Sequence, residues 1–245
     1  MSDVLLLHAG VADSRMWEPQ RAPLEATGHR VLAPDLRGFG TRQLEPGAFS
    51  HVDDVATLLG DPAVVVGNSL GGRVAIELAL ERPGLVGRLV LVAPGLPGWE
   101  WSEETRAGWR EEAEALDRGD IDEAVEANVR LWVDGLYRLP SEVDPAVRAL
   151  AAEMIRRSFE LQLPYLDVAD ERELEPPAFA RLEDVRCPTL VLVGELDVPD
   201  MRALAENVVT RIPGARLELI ADAAHLPSLE RPDEFNRLLL GFLAR

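Results

Sequence analysis

The sequence predicts an α/β protein: a mostly parallel sheet flanked by helices, with one helical insertion. Three observations lead there. Short apolar runs alternate with stretches whose apolar residues recur at helical spacing, the pattern of successive βαβ units. Each run is apolar on consecutive residues, as strands covered on both faces are. One of these runs turns directly into a helix through Gly67-Asn68-Ser69-Leu70-Gly71-Gly72.

Strands are expected at residues 4–7, 30–33, 63–66, 89–92, 189–193 and 216–219. Helices are expected over residues 17–27, 51–59, 70–81, 201–209 and 233–244. The rhythm breaks between residues 96 and 182, which read as helix after helix, rich in Glu, Ala and Arg, with no strand. Residues 1–95 and 183–245 are therefore assigned to the α/β core, and 96–182 to an inserted helical lid. The insertion holds Trp99, Trp101, Trp109, Trp132, Tyr137, Phe159 and Tyr165. Most of these should glue the lid helices together, and about two or three should reach a pocket beneath them. No internal repeat or low-complexity tract is present.

Bulk composition removes several function classes. At 245 residues the chain can bury a full core. Its 43 acidic against 25 basic residues leave a formal charge of −18, which argues against nucleic acid or an anionic membrane as partner. All 25 basic residues are arginine. The absence of lysine excludes a lysine Schiff base, a Walker-A lysine and a kinase-type lysine together. Cys187 is the one cysteine, so no intrachain disulfide forms, and a packed, inert thiol is expected. Met1-Ser2-Asp3 leads into an apolar strand without a basic leader segment, and no apolar run reaches membrane-spanning length. A cytoplasmic protein, monomeric or homodimeric, is expected.

The chemistry centres on Ser69. A strand that turns into a helix around G-x-S-x-G forms a nucleophile elbow, raising the hydroxyl above the sheet edge in a strained backbone. Gly67 and Gly71 are needed because side chains there would collide across the turn. A serine hydroxyl needs a base, and the base needs an acid to hold it. Of His8, His29, His51 and His225, only His225 lies downstream in a loop after a late strand. His8 reads as a loop-bracing hydrogen-bonder, and His29 and His51 as solvated or capping residues. Gly194-Glu195-Leu196-Asp197-Val198-Pro199-Asp200 follows the preceding strand. Asp197 is the chosen acid with Glu195 the alternative, and Asp200 reads as the N-cap of the next helix. The oxyanion donors are assigned to the backbone N–H of Leu70 and, from the loop after the first strand, of Gly10. Asp35 and Arg37 read as partners fixing the loop after the second strand.

On these residues the chain resembles the α/β-hydrolase superfamily, in the group with H-G-x, D-x-R-G-x-G, G-x-S-x-G, G-x-x-D and a late G-H or A-H. The matching stretches, in order, are His8-Ala9-Gly10, Asp35 to Gly40, Gly67 to Gly71, Gly194 to Asp197, and Ala224-His225. The resemblance implies nucleophile Ser69, acid Asp197, base His225, oxyanion donors Leu70 and Gly10, and no cofactor or metal. Ala9 stands where the family has glycine, which leaves Val11 as the alternative second donor. The family's first antiparallel strands are expected to be missing, which implies a shortened sheet of about six strands.

The implied activity is hydrolysis of carboxylic esters or lactones of small apolar substrates. Gly-Asn-Ser-x-Gly-Gly also resembles carbon–carbon bond hydrolases of diketone-like ring-cleavage products. In that alternative a cationic lid residue, Arg156 or Arg157, would face the substrate carboxylate. A slow-turnover ligand-binding receptor is the reading from another class.

Overall fold

A computed structural model describes residues 3–244; Met1 and Ser2, where the leader was sought, lie outside the described residues. The core opens with β1 (Asp3–Leu7), α1 (Glu18–Ala26) and β2 (Arg30–Leu32). A short strand β3 (Gly47–Phe49) leads into α2 (His51–Ala56), whose N-terminus is capped by the Ser50 hydroxyl accepting from Asp53 N–H. Then follow β4 (Ala63–Asn68), α3 (Leu70–Glu81) and β5 (Val86–Val92).

The insertion contributes α4 (Glu103–Asp117), α5 (Ile121–Asn128), one π-helical stretch at Val129–Asp134, and α6 (Pro145–Gln162). Ser102, Asp120 and Asp144 cap the three α-helices with side-chain oxygens, which fixes where each starts. The insertion also holds a strand the sequence does not announce, β6 (Ala169–Glu171), paired in parallel with β3. Its residues Ala-Asp-Glu carry no apolar signature. Pairing extends through backbone bonds from Gly47 to Val168 and from Arg172 to Phe49. The chain returns through β7 (Thr189–Gly194), α7 (Pro199–Arg211), β8 (Arg216–Ile220), the single turn α8 (Pro227–Glu230) and α9 (Pro232–Leu243).

Six strands form the main sheet in the order β2-β1-β4-β5-β7-β8, every pairing parallel, as the apolar runs predict. Alternate residues of β1 and β4 feed opposite cores. Leu5, Leu7 and Val65 pack with Ile76 of α3 and Leu204 of α7, whereas Leu6, Val64 and Val66 pack with Trp17, Leu24 and Phe235 on the α1/α9 side. Each such buried side chain is worth roughly 1.5–3 kcal/mol, so both faces are held.

Strand order positions the site. From β1 the chain moves outward to β2, then returns past β1 to β4 and continues the other way. The loops leaving β1 and β4 diverge at this switch point and open a crevice at the carboxyl edge of the sheet. Register brings Leu7 beside Gly67, and Gly194 beside Ile220 at the far side of the same edge.

Candidate active site

Ser69 stands between β4 and α3 with φ 50° and ψ −108°, the left-handed side that L residues rarely occupy. Backbone bonds over-determine it: its N–H donates to Val92 O at 2.9 Å, and its carbonyl accepts from Arg73 at 3.0 Å and Gly95 at 3.2 Å. Gly67 is needed as the sequence implies, since a Cβ there would lie 2.1 Å from Gly71 O across the turn. Gly71 answers a different constraint: its Cβ would meet Leu7 O of the neighbouring strand at 2.2 Å.

His225 and Asp197 are both buried, each 1% exposed, and His225 Nδ1 lies 2.9 Å from Asp197 Oδ2. The second carboxylate oxygen accepts from Val198 N–H at 2.8 Å, which fixes the rotamer. Glu195, the alternative acid, points to solvent. A Cβ on Gly194 would lie 2.1 Å from Ala224 O, so glycine is what lets the acid loop lie against the His225 loop.

Ser69 and His225 open into one cavity of about 440 Å3 together with Gly10, Val11 and Leu70. Leu70 is the first residue of α3, so its N–H has no carbonyl one turn back to bond. In the β1 loop, Ala12 bonds Ala9 O and Gly71 bonds His8 O, and among the described residues these bonds leave the Gly10 and Val11 amides aside. His8 braces this loop as expected: Leu36 N–H donates to Nε2 at 2.9 Å, which puts the proton on Nδ1 to bond Ala9 O at 2.8 Å. Burial lowers its pKa and favours that neutral form.

Three insertion aromatics reach the cavity: Trp101, Trp109 and Trp132. Trp132 lies against the His225 ring, with centroids 4.5 Å apart. Trp99 instead packs edge-on against Phe179, the gluing role foreseen for most. Further lining residues belong to no motif, among them three with long or polar side chains. Met201 enters from α7, Asn128 from the end of α5, and Arg73 from α3. Arg73 follows Ser69 by four residues, and helical side chains lean back over the preceding turn, a spacing that places it at the same mouth.

Four expectations are corrected. Neither Arg156 nor Arg157 borders the Ser69 cavity; both line a separate cleft of about 430 Å3, where Arg157 bonds Gly40 O and Glu160. His51 is buried rather than solvated, because the β3–β6 ribbon and α3 close over it, and burial holds its pKa down at about 3. Asp200 does not cap its own helix, whose cap position is Val198. It instead accepts from Ser102 N–H, Ser102 Oγ and Thr105 Oγ1, anchoring the start of α4. Asp35 and Arg37 fix their loop separately: Asp35 accepts from Ser14 and Thr41, while Arg37 forks onto Asp54 at 2.6 and 2.8 Å. Cys187 is half-buried with its thiol pushed up by burial, in keeping with an inert role. No group of three or more His, Cys, Asp or Glu among the described residues is arranged to hold a metal ion.

Comparison with known proteins places this geometry in context. The alpha/beta hydrolase family profile matches residues 4–238. The chain is 32% identical to the pimeloyl-[acyl-carrier protein] methyl ester esterase of Aromatoleum aromaticum, over 95% of this chain and 94% of that protein. It is 27% identical to a 2-hydroxy-6-oxononadienedioate/2-hydroxy-6-oxononatrienedioate hydrolase of Escherichia coli, over 99% and 87%. Among solved structures, a thermophilic esterase from Thermogutta terrifontis superposes with a TM-score of 0.78 at 28% identity, over 100% and 90%.

Proposed function

The chain belongs to the alpha/beta hydrolase family, and from that premise we propose that it is a cofactor-free serine hydrolase cleaving carboxylic esters or lactones of small apolar substrates. One observation carries the reading. A buried carboxylate holds an imidazole at 2.9 Å, and that imidazole shares a cavity with a serine in a strained elbow.

Ser69 attacks the carbonyl as His225 takes its proton through Nε2, while Asp197 holds Nδ1 and stabilises the imidazolium. The tetrahedral oxyanion is received by the amides of Leu70 and of Gly10 or Val11, each donor lowering the barrier by roughly 3 kcal/mol. His225 then protonates the leaving alcohol, and water repeats the cycle on the acyl-enzyme. A lactone is an internal ester and follows the same course. Residues 96–182 act as the lid, and Trp101, Trp109 and Trp132 give the acyl or alcohol group an apolar enclosure.

Carbon–carbon hydrolysis is the second reading, supported by the similarity to the ring-product hydrolase named above. It would rely on Arg73 as the cation at the cavity, and that guanidinium is engaged by Glu171 at 2.7 Å.

A fluorophosphonate probe and a p-nitrophenyl acetate burst test the proposal. Wild-type protein should be labelled and show a burst, and Ser69→Ala should lose both, with residual activity down by at least about 10⁴-fold. An unlabelled wild type that turns over no ester would end it. A panel of lactones and vinylogous diketones separates the two hydrolytic readings.

A further inference from the structure

Three consecutive amides around His225 find their acceptors outside the main sheet. His225 N–H donates to Trp132 O at 3.2 Å. The amides on either side, Ala224 and Leu226, both donate to one oxygen, Glu230 Oε1, at 3.0 and 3.3 Å. The Glu230 side chain is 4% exposed, and its other oxygen accepts from Arg138 NH2 at 2.7 Å. Arg138 reaches back from the insertion and also donates to Val133 O at 2.6 Å and Asp134 O at 2.9 Å, the end of the π-helical stretch carrying Trp132. The loop that carries the base is therefore held by one carboxylate, and that carboxylate is tied by one guanidinium to the segment that covers the imidazole.

We propose that Arg138 and Glu230 form a positioning pair that aims His225 and couples it to the helical insertion. The proposal rests on the reading of His225 as the general base. Neither residue borders the Ser69 cavity, so neither touches substrate. Their action is on the path of the imidazole. Without the carboxylate, two adjoining buried amides lose their acceptor and the 224–226 backbone relaxes toward other partners. A displacement of about 1 Å at a reacting group is enough for a hundredfold loss. The guanidinium opposes the upward push of burial on the Glu230 carboxyl and ties that carboxyl to the segment that lays Trp132 against the ring.

The test uses the full chain with p-nitrophenyl acetate, comparing wild type with Glu230→Ala, Glu230→Gln, Arg138→Met and the double variant Arg138→Met/Glu230→Gln. Thermal unfolding confirms that each is folded. Glu230→Ala should lower kcat about 100-fold with KM within about twofold. Glu230→Gln, which keeps a carbonyl for the two amides, should recover most of that loss. The double variant should be no worse than its worse single, because the pair acts as a unit. Should Glu230→Ala fail to fold, Glu230→Gln, Arg138→Met and the double variant still decide through non-additivity; should Arg138→Met fail to fold, the kcat–KM split of the two Glu230 variants decides. A folded Glu230→Ala with kcat within threefold of wild type, a loss confined to KM, or strictly additive variants would overturn the proposal. Fluorophosphonate labelling of wild type separates the two readings. A labelled, active wild type with indifferent variants sinks the positioning pair alone, whereas an unlabelled wild type removes the base assignment and the pair with it.

Discussion

Backbone strain at Ser69 is of order 1–3 kcal/mol and persists because three backbone bonds and two glycine contacts leave the chain no alternative. Such a residue is legible in sequence because its constraints are local: both glycines lie within two positions of it. The candidate acid was partly legible. The turn puts Asp197 ahead of Glu195, but the burial that leaves Glu195 exposed and Asp197 1% exposed depends on the sheet edge and the His225 loop, which the local sequence does not show. His51 was misread for the same reason, since nothing near it in sequence announces the ribbon that buries it. Asp197→Asn tests the acid. The amide keeps the packing but presents the wrong partner to Nδ1–H, so kcat should fall by about 10⁴ with KM little changed and the fold intact. Steady-state kinetics on a p-nitrophenyl ester measure this. A kcat within tenfold of wild type would reassign the acid.

At the scale of elements, the strands of the main sheet were legible because each carries consecutive apolar residues, whereas β6 was not. Ala-Asp-Glu makes a strand only because β3 offers an edge and Arg73 holds Glu171. Asp200 shows how elements are joined through one side chain. It leaves the acid loop at the start of α7 and receives Ser102 and Thr105 from the first turn of α4, which carries Trp109, with Trp101 just ahead of it. Burial opposes its ionisation, yet the Ser102 and Thr105 bonds outweigh that and hold its carboxyl below the ordinary value. The stabilisation is thus present above the ordinary carboxylate range and lost only as pH falls below about 4. Asp200→Ala should reduce unfolding free energy by about 2 kcal/mol at pH 7 by stranding three donors. It should also raise KM for an aromatic ester more than for an acetyl ester, because the tryptophan wall loosens while the His225–Asp197 contact does not. Urea unfolding and paired kinetics check both parts; equal KM changes for the two esters would unlink Asp200 from the pocket.

Over the whole molecule, the net charge of −18 suggests a stability set by surface repulsion, but the titrations that matter near neutrality are buried. Most carboxyl shifts here are downward, at Asp35, Asp54, Glu81 and Asp200, and act only in acid. Glu77 is the opposite case. Burial pushes it up to about 7, against the pull of Arg73 and with a further push from Glu171 and Glu81. A raised carboxyl favours folding fully below about 4.5, and that contribution is lost as pH climbs toward 7. His51, packed in the same cluster, is depressed to about 3, so its contribution is present above about 6.5 and lost as pH falls. Between about 4.5 and 6.5 the two slopes, one proton each, oppose and nearly cancel, giving a flat top that turns downward toward neutral pH. Burial also raises Glu112 and Glu230, so each likewise favours folding less as pH rises above the ordinary carboxylate range. Replacing Glu77 by Gln removes one downward slope without removing volume. Relative to wild type, Glu77→Gln should be nearly neutral at pH 4.5 and gain stability steadily to pH 8, by at most about 3 kcal/mol. Urea midpoints at pH 5, 6.5 and 8 read the trend directly. If the gap between variant and wild type does not widen with pH, Glu77 is ionised in the folded state and Arg73 carries two counter-ions at neutral pH rather than one.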